Sequence, residues 1–293
     1  MTLRARCVWW LMCVAGALPL SALHWFGGIF GRLVQILSPS VRRRIAENLA
    51  QSGYTGVGLQ TVAAELGKGV FEIAYAWTRP VEILYENVVP GSGYEHLEAA
   101  KASGRAIIFA TPHLGCYDLA GRFIESRVPM TALFSPSKTA WLTPIMQAGR
   151  VRGAARTAPA NASGVRELMR VLKKGGSIML LPDQVPAPSV GGEGVWAPFF
   201  NKPAYTMTFL PKLALQTNAI VLFFFAERLT GGAGYRVHIA VPVPIYSADK
   251  LEAATQMNAQ IEALIAIAPA QYLWSYNRYK RPSGAPPQPP KET

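Results

Sequence analysis

Arg105-Ala-Ile-Ile-Phe-Ala110-Thr-Pro-His113-Leu-Gly-Cys-Tyr-Asp118-Leu-Ala120 governs how the rest of the chain is read. The run 106–110 is apolar, partly β-branched and bounded by Gly104 and Pro112, the pattern of a buried strand. Pro112 stops it, and residues 117–125 suit a helix. His113 therefore stands where a strand gives way to a helix, at the carboxyl end of that strand. Ligand sites of open α/β sheets collect at such ends.

His113 and Asp118 are five residues apart. On one continuous helix that spacing splays two side chains by about 140°, from the helical repeat. With His113 still in the turn, the chain can fold back and bring Asp118 to the ring. The pair is then a base and its orienter: the imidazole takes a proton from a hydroxyl, and the carboxylate fixes the tautomer and stabilises the imidazolium. Such chemistry needs a group titrating near neutrality with a fixed anion behind it. The hydroxyl can be the substrate's own, so no Ser or Cys nucleophile is required. The bland alternative makes His113 a helix-start residue and Asp118 a solvated side chain.

The 293 residues suit one large domain, or one domain with appendages. Half are hydrophobic and only 16% are charged, apolar for a soluble enzyme yet short of a polytopic membrane protein. The formal charge of +12 favours anionic partners: acidic lipid, an acidic carrier protein or nucleic acid. No zinc-finger spacing and no basic run interleaved with aromatics is present, which argues against nucleic acid. Cys7, Cys13 and Cys116 give no disulfide framework and suit a reducing compartment. No Cys/His cluster has metal-ligand spacing. His24, His96 and His238 are isolated and read as structural or interfacial.

Arg4 and Arg6 precede an uncharged apolar run, 7–30, long enough to cross a hydrocarbon core. Pro19 and the paired Gly27-Gly28 weaken it as a straight helix. A spanning or partly inserted anchor, a cleaved signal peptide ending near Ser21-Ala22 and a buried hydrophobic hairpin compete, and the anchor is preferred. The chain then divides into an anchor (1–30), a main domain (31–281) and a Pro-rich tail (282–293) in which no order is expected. Basic residues flank the run on both sides, so charge does not set its orientation. Ser38-Pro39-Ser40 starts a helix carrying Arg42, Arg43 and Arg44. Near a membrane each would add about 1 kcal/mol of attraction to anionic lipid; otherwise they form a solvated face.

Val62, Leu66, Val70, Ile73 and Trp77 recur at helical spacing, marking a helix whose stripe is core or groove lining. Strands are expected at 128–134 and 177–181, with a loop at 135–138 and a helix over 139–148 between them. Arg150 and Arg152 follow, either as an anion clamp of forked donors or as solvent-facing charge. The second strand ends in Pro182-Asp183-Gln184, again placing polar groups at a strand's carboxyl end, where an Asp is often only a cap. Residues 185–200 are rich in Pro and Gly and long for a connector, so they read as a lid. A helix over 205–216, an apolar strand over 219–226, a turn at Gly231-Gly232, an alternating strand over 235–243 and a helix over 251–268 complete the pattern. In Gln271-Tyr-Leu-Trp-Ser-Tyr-Asn-Arg278-Tyr-Lys280, Arg278 and Lys280 read either as phosphate or carrier contacts or as surface charge.

Taken in order and spacing, four of these segments resemble the lipid A late acyltransferases, within the wider group of lysophospholipid acyltransferases marked by His-x4-Asp or His-x4-Glu. They are His113 with Asp118, Arg150, Pro182-Asp183-Gln184, and 271–280. Cys116 and Tyr117 depart from the commoner His-Leu-Gly-Asn-Trp-Glu spelling, and Ala270 and Tyr276 depart from the usual C-terminal letters. The resemblance covers nearly the whole chain, from about residue 30 to 281. It implies an α/β fold, a mixed sheet flanked by helices of the glycerolipid acyltransferase type, behind an N-terminal membrane anchor. It also implies transfer of a fatty acyl group from an acyl carrier protein thioester to a hydroxyl of an anionic, phosphorylated lipid A precursor at the cytoplasmic face of the inner membrane. In that reading His113, Asp118, Arg150 and Asp183 are catalytic, and Arg152, Gln184, Arg278 and Lys280 bind substrate. No metal or redox cofactor is called for. Another polar-lipid acceptor, or a lipid-binding protein without turnover, are the alternatives.

Overall fold

The structure is a computed structural model that describes residues 1–134, 139–153, 155–188 and 191–289. The loop expected at 135–138 lies outside the described residues. In chain order the elements are α1 (Leu3–Gly16), α2 (Leu20–Leu37), α3 (Pro39–Ser52), α4 (Leu59–Thr78), α5 (Val81–Glu86), β1 (Val88–Pro90), α6 (Tyr94–Ala102), β2 (Ile107–Ala110), α7 (Tyr117–Glu125), β3 (Met130–Phe134), α8 (Thr143–Arg150), β4 (Arg156–Pro159), α9 (Ala162–Lys173), β5 (Ser177–Leu180), β6 (Gly194–Phe199), β7 (Lys202–Met207), α10 (Phe209–Thr217), β8 (Ile220–Arg228), β9 (Tyr235–Ile239) and α11 (Lys250–Ile267).

Ile107–Ala110 forms the expected strand, and all four residues are buried. A strand covered on both faces has no polar side to show, so its sequence is a continuous apolar run. β2 lies inside a seven-stranded sheet of order β1-β9-β8-β2-β5-β3-β4, in which only the β8–β9 pair is antiparallel. Alternate side chains feed two cores. Ile108 and Ala110 join Val221 and Phe223 against α9, α10 and α11. Ile107 and Phe109 join Leu222 and Phe224 against α4, α6 and α7.

The 185–200 stretch is less of a loop than its composition suggests. Its second half is β6, which pairs with β7 as an antiparallel hairpin, so the helix expected from 205 starts only at Phe209. The hairpin turns through Phe200 and Asn201, both at positive φ (48° and 58°). That is the two-residue geometry matching strand twist. A bulky Phe at positive φ is strained, and it is held in place: its N–H donates to Glu262 and its carbonyl accepts from Gln51. Edge strand β4 and the short β1 also escaped the sequence reading. Residues 282–289 run beside the hairpin, where Trp196 donates to the Pro286 carbonyl and Ala285 is buried.

The N-terminal apolar run breaks at Pro19 into two helices. Of these, α2 is the helix long and apolar enough to cross a membrane by length and composition alone. Along one face it lies against α4 at close range. A Cβ on Gly31 would fall 1.8 Å from the Ala63 carbonyl oxygen, and one on Gly67 would fall 2.0 Å from that of Gly27. The two backbones could not approach so closely with larger residues at these points.

Under this contact lies a buried polar network with no counterpart in the sequence reading. Glu72, 1% exposed, accepts two hydrogen bonds from Arg228 at 2.6 and 2.7 Å, and further bonds from His24 and the Tyr235 hydroxyl. Burial would raise the Glu72 carboxyl, but the Arg228 guanidinium beside it and the His24 bond hold it down to about 2. The stabilisation is thus present above the ordinary carboxylate range and is lost only as pH falls toward 2. Glu72→Ala leaves Arg228 buried with less than its full complement of charge. It is expected to cost about 3–5 kcal/mol, read as a lowered thermal midpoint of the detergent-solubilised protein; a midpoint within 2 °C of wild type would sink the idea.

Candidate active site

The chain leaves β2 at Thr111 and Pro112, and His113 is the third residue beyond the strand. Its backbone is pinned on both sides. The His113 carbonyl accepts from Leu273, and the Cys116 N–H donates to the Ala226 carbonyl on β8. Gly115, at φ +59°, makes the turn between them, and a Cβ there would fall 1.9 Å from the Ala226 oxygen. Any side chain at 115 would push the turn off the sheet edge.

Turned in this way, His113 faces the end of β5. Asp183 is 2% exposed and grips it twice: Oδ2 accepts the backbone N–H at 2.9 Å, and Oδ1 accepts the ring Nδ1–H at 2.7 Å. On the other side of the ring, Nε2 accepts from the Gln184 amide at 3.1 Å. These bonds set the tautomer, with the proton on Nδ1 and the lone pair on Nε2. Burial works to depress the imidazole, but the Asp183 carboxylate outweighs it and the His113 pKa lies above its ordinary value. Burial would likewise raise the Asp183 carboxyl, but the His113 ring and its two N–H donors, with the Arg278 charge behind, hold it below the ordinary range.

Asp118 is not the residue behind the ring, contrary to the sequence expectation. It sits in the first turn of α7 and faces α4 instead, accepting from Trp77 Nε1 at 3.2 Å and pairing with Arg150 Nε at 3.5 Å. The left-handed turn at Gly115 sends the two side chains to different neighbours. The structure does bring His113, Asp118, Arg150 and Gln184 around one cavity, with Asp183 beneath it. Arg150 stacks 5.3 Å from the Trp77 ring and reaches toward the Tyr117 hydroxyl. Its loop is held by Arg122, which is buried, paired with Glu125 at 2.6 Å, and donates to the carbonyls of Gly149, Arg150 and Arg152.

Two substrate-binding expectations meet a different arrangement, and a third, Lys280, keeps both of its readings. Arg152 donates both ends of its fork to the Trp77 and Arg79 carbonyls at the C-terminus of α4, where a cation meets the helix dipole. Arg278 is 2% exposed and donates to the Tyr205 carbonyl, Thr206 and Asn258. It acts as a buried charge near Asp183 and is out of reach of a phosphate. Lys280 is exposed, with its ammonium 5.1 Å from the Tyr276 ring. The C-terminal segment nevertheless builds the site from below. Tyr276 accepts from the Val185 N–H just past the Pro182-Asp183-Gln184 turn, and Gln271 bonds both backbone groups of Arg228. Trp77, Arg122 and Tyr276 were missed because a Trp in an apolar stripe, an Arg in an amphipathic helix and an exposed-looking Tyr carry no signal until their partners are folded beside them.

Two cavities open beside His113. One, of about 360 Å³, runs under α7 between the ends of β3 and β5, with Met130, Leu133, Met179 and Phe209 in its walls and Arg150 at its rim. The other, of about 180 Å³, follows α4 past Ile73 and Val70. Among the described residues, no group of three or more His, Cys, Asp or Glu side chains is gathered as metal ligands.

An imidazole set between two largely apolar cavities, at the carboxyl edge of a mostly parallel sheet, is an arrangement suited to an apolar substrate. Comparison with known proteins narrows this: residues 8–281 match the family of bacterial lipid A biosynthesis acyltransferases, and the chain belongs to it. It is an acyltransferase of lipid A biosynthesis. It is similar to the lipid A biosynthesis palmitoleoyltransferase of Escherichia coli K12, at 30% identity over 75% of this chain and 70% of the relative. It is also similar to the lipid A biosynthesis lauroyltransferase of the same organism, at 25% identity over 94% and 86%. A lipid A biosynthesis acyltransferase of Haemophilus influenzae is 28% identical over 73% and 64%.

Proposed function

We propose that the chain moves a fatty acyl group from an acyl carrier protein thioester to a hydroxyl of a phosphorylated lipid A precursor, with His113 as general base. The observation that carries this reading is the Nδ1–H to Asp183 bond, which leaves Nε2 as a basic lone pair at the mouth of the larger cavity. The acceptor hydroxyl displaces the Gln184 amide and gives its proton to Nε2 as its oxygen attacks the thioester carbonyl. The tetrahedral intermediate then collapses, the carbon–sulfur bond breaks, and the imidazolium returns the proton to the departing thiolate. Asp183 takes the orienting role first expected of Asp118, holding the tautomer and stabilising the imidazolium. Asp118 holds Arg150 in place, and Arg150 presents its fork to an anionic group of donor or acceptor.

The same proposal takes the fold to be of the glycerolipid acyltransferase type. Residues 1–30 serve as the anchor to the inner membrane, with the catalytic domain on its cytoplasmic face. The +12 charge suits both an acidic carrier and an anionic lipid surface. The test is acyl transfer by the purified protein from acyl carrier protein thioesters of several chain lengths to a tetra-acylated lipid A precursor. Mass spectrometry should show one added acyl chain. If no donor length gives product, while another polar lipid is acylated, the acceptor is wrong.

A further inference from the structure

The cavity along α4 does not end at Val70. A second cavity, of about 200 Å³ and lined by Phe30, Val34, Val41 and Ile45, meets it across the shared residues Leu66, Val70 and Leu273. Together they form a groove from Ala76, next to the Trp77 that donates to Asp118, back to Ala63. Those fourteen residues of helix span about 20 Å at the helical rise. One leaflet of a hydrocarbon core is about 15 Å deep, half of the usual thickness. The outer half of the groove is walled by α2, α3 and α4, so the apolar N-terminal helix forms part of it.

We propose that this groove holds one hydrocarbon chain of the lipid acceptor, drawn directly from the membrane, while the chain of the donor occupies the other cavity beside His113, under α7. The assignment rests on the acyl-transfer reading above. Two features identify the occupant. At its inner end the groove reaches His113, so a chain lying in it belongs to a molecule whose polar end is at the base. At its outer end it is continuous with an exposed apolar face. Phe30 and Val70 line the groove and are also 42% and 52% exposed, and beside them α2 shows Phe26, Leu33 and Leu37 to the outside. A lipid in a bilayer can enter there without its chain crossing water. A carrier-bound donor arrives through water instead. The cavity under α7 meets the groove at His113, Tyr117 and Asp118, and Arg150 is part of its wall.

The groove is tested by filling it. Val70→Trp places an indole where the two cavities meet, and Val34→Trp fills the outer half alone; both are checked for wild-type thermal midpoint. Steady-state transfer is then measured with acyl carrier protein thioester and the tetra-acylated precursor, each varied in turn. Val70→Trp is expected to raise KM for the acceptor at least tenfold and leave KM for the donor within twofold. Val34→Trp should act in the same direction. A raised donor KM or an altered preference for donor chain length would put the donor chain in the groove and overturn the assignment. Unchanged KM for both substrates in either stably folded variant would overturn it too. Absence of transfer by the wild-type protein would instead remove the acyl-transfer reading, and this assignment with it.

Discussion

His113→Ala is expected to lower kcat for acyl transfer by about 10²–10⁴-fold, the contribution of a positioned general base. Truncation also strips Asp183 of its ring partner, and Asp183 is buried beside the Arg278 charge. Some loss of stability would therefore accompany the loss of rate. His113→Asn separates the two. Its amide can still donate to Asp183, so the folded state should be held nearly as well, yet it has no basic nitrogen. An equal loss of kcat in His113→Asn, at a thermal midpoint near wild type, assigns the effect to chemistry. Turnover within tenfold of wild type in that variant would remove His113 from the base role.

Asp183→Asn should be almost as damaging, although it changes one atom. His113 presents two N–H groups to residue 183, and two carboxylate oxygens accept them. An amide has one oxygen. If it accepts from the backbone N–H, its NH₂ faces Nδ1, the ring proton moves to Nε2, and the lone pair needed for catalysis is gone. The comparable change in a serine-protease triad costs ~10⁴-fold through the wrong tautomer, and a loss of ~10³–10⁴-fold is expected here. Asp118→Asn, whose carboxylate does not touch the ring, should cost far less; the reverse ranking would restore the spacing-based pairing of His113 with Asp118.

The same pair sets the pH response. Because the His113 pKa is raised in the folded protein, the inactive imidazolium persists to higher pH than for a free imidazole, near 6.5. The acid limb of the kcat/KM profile should therefore lie above that value, with activity falling as pH drops through it. Stability runs the other way. The charged pair with Asp183 stabilises the fold fully below the free-imidazole pKa, and that contribution is lost as pH rises through the raised value. In Asp183→Asn the acid limb of the residual activity should move down; a limb that stays in place would dissociate Asp183 from the titration.

Much was legible from local pattern. A strand covered on both faces must be apolar throughout, so 106–110 and 219–226 could be read directly, and with them the placing of His113 and Asp183 at strand ends. Amphipathic periodicity located α4 and α11. The β6–β7 hairpin was hidden because its turn uses Phe200-Asn201 rather than an Asn-Gly pair, with stability supplied by Glu262 and Gln51 from distant helices.

The sequence by itself determined the buried strands, most of the helices, their order and the family, because burial on two faces and helical repeat each leave a one-dimensional trace. It also named the chemical residue types at the site, since the strand ends and the ordered segments lie along the chain. Partnership was decided only by the tertiary structure. Asp118 is five residues from His113 and Asp183 is seventy, yet the positive φ at Gly115 and the parallel pairing of β2 with β5 put the distant carboxylate on the ring. The same holds for Arg278, which reads as a phosphate or carrier contact or as surface charge, and is sealed in a bed of carbonyl and hydroxyl oxygens. Hydrogen bonds act over about 3 Å, and sequence spacing measures contour length; the two agree only where the chain is locally regular.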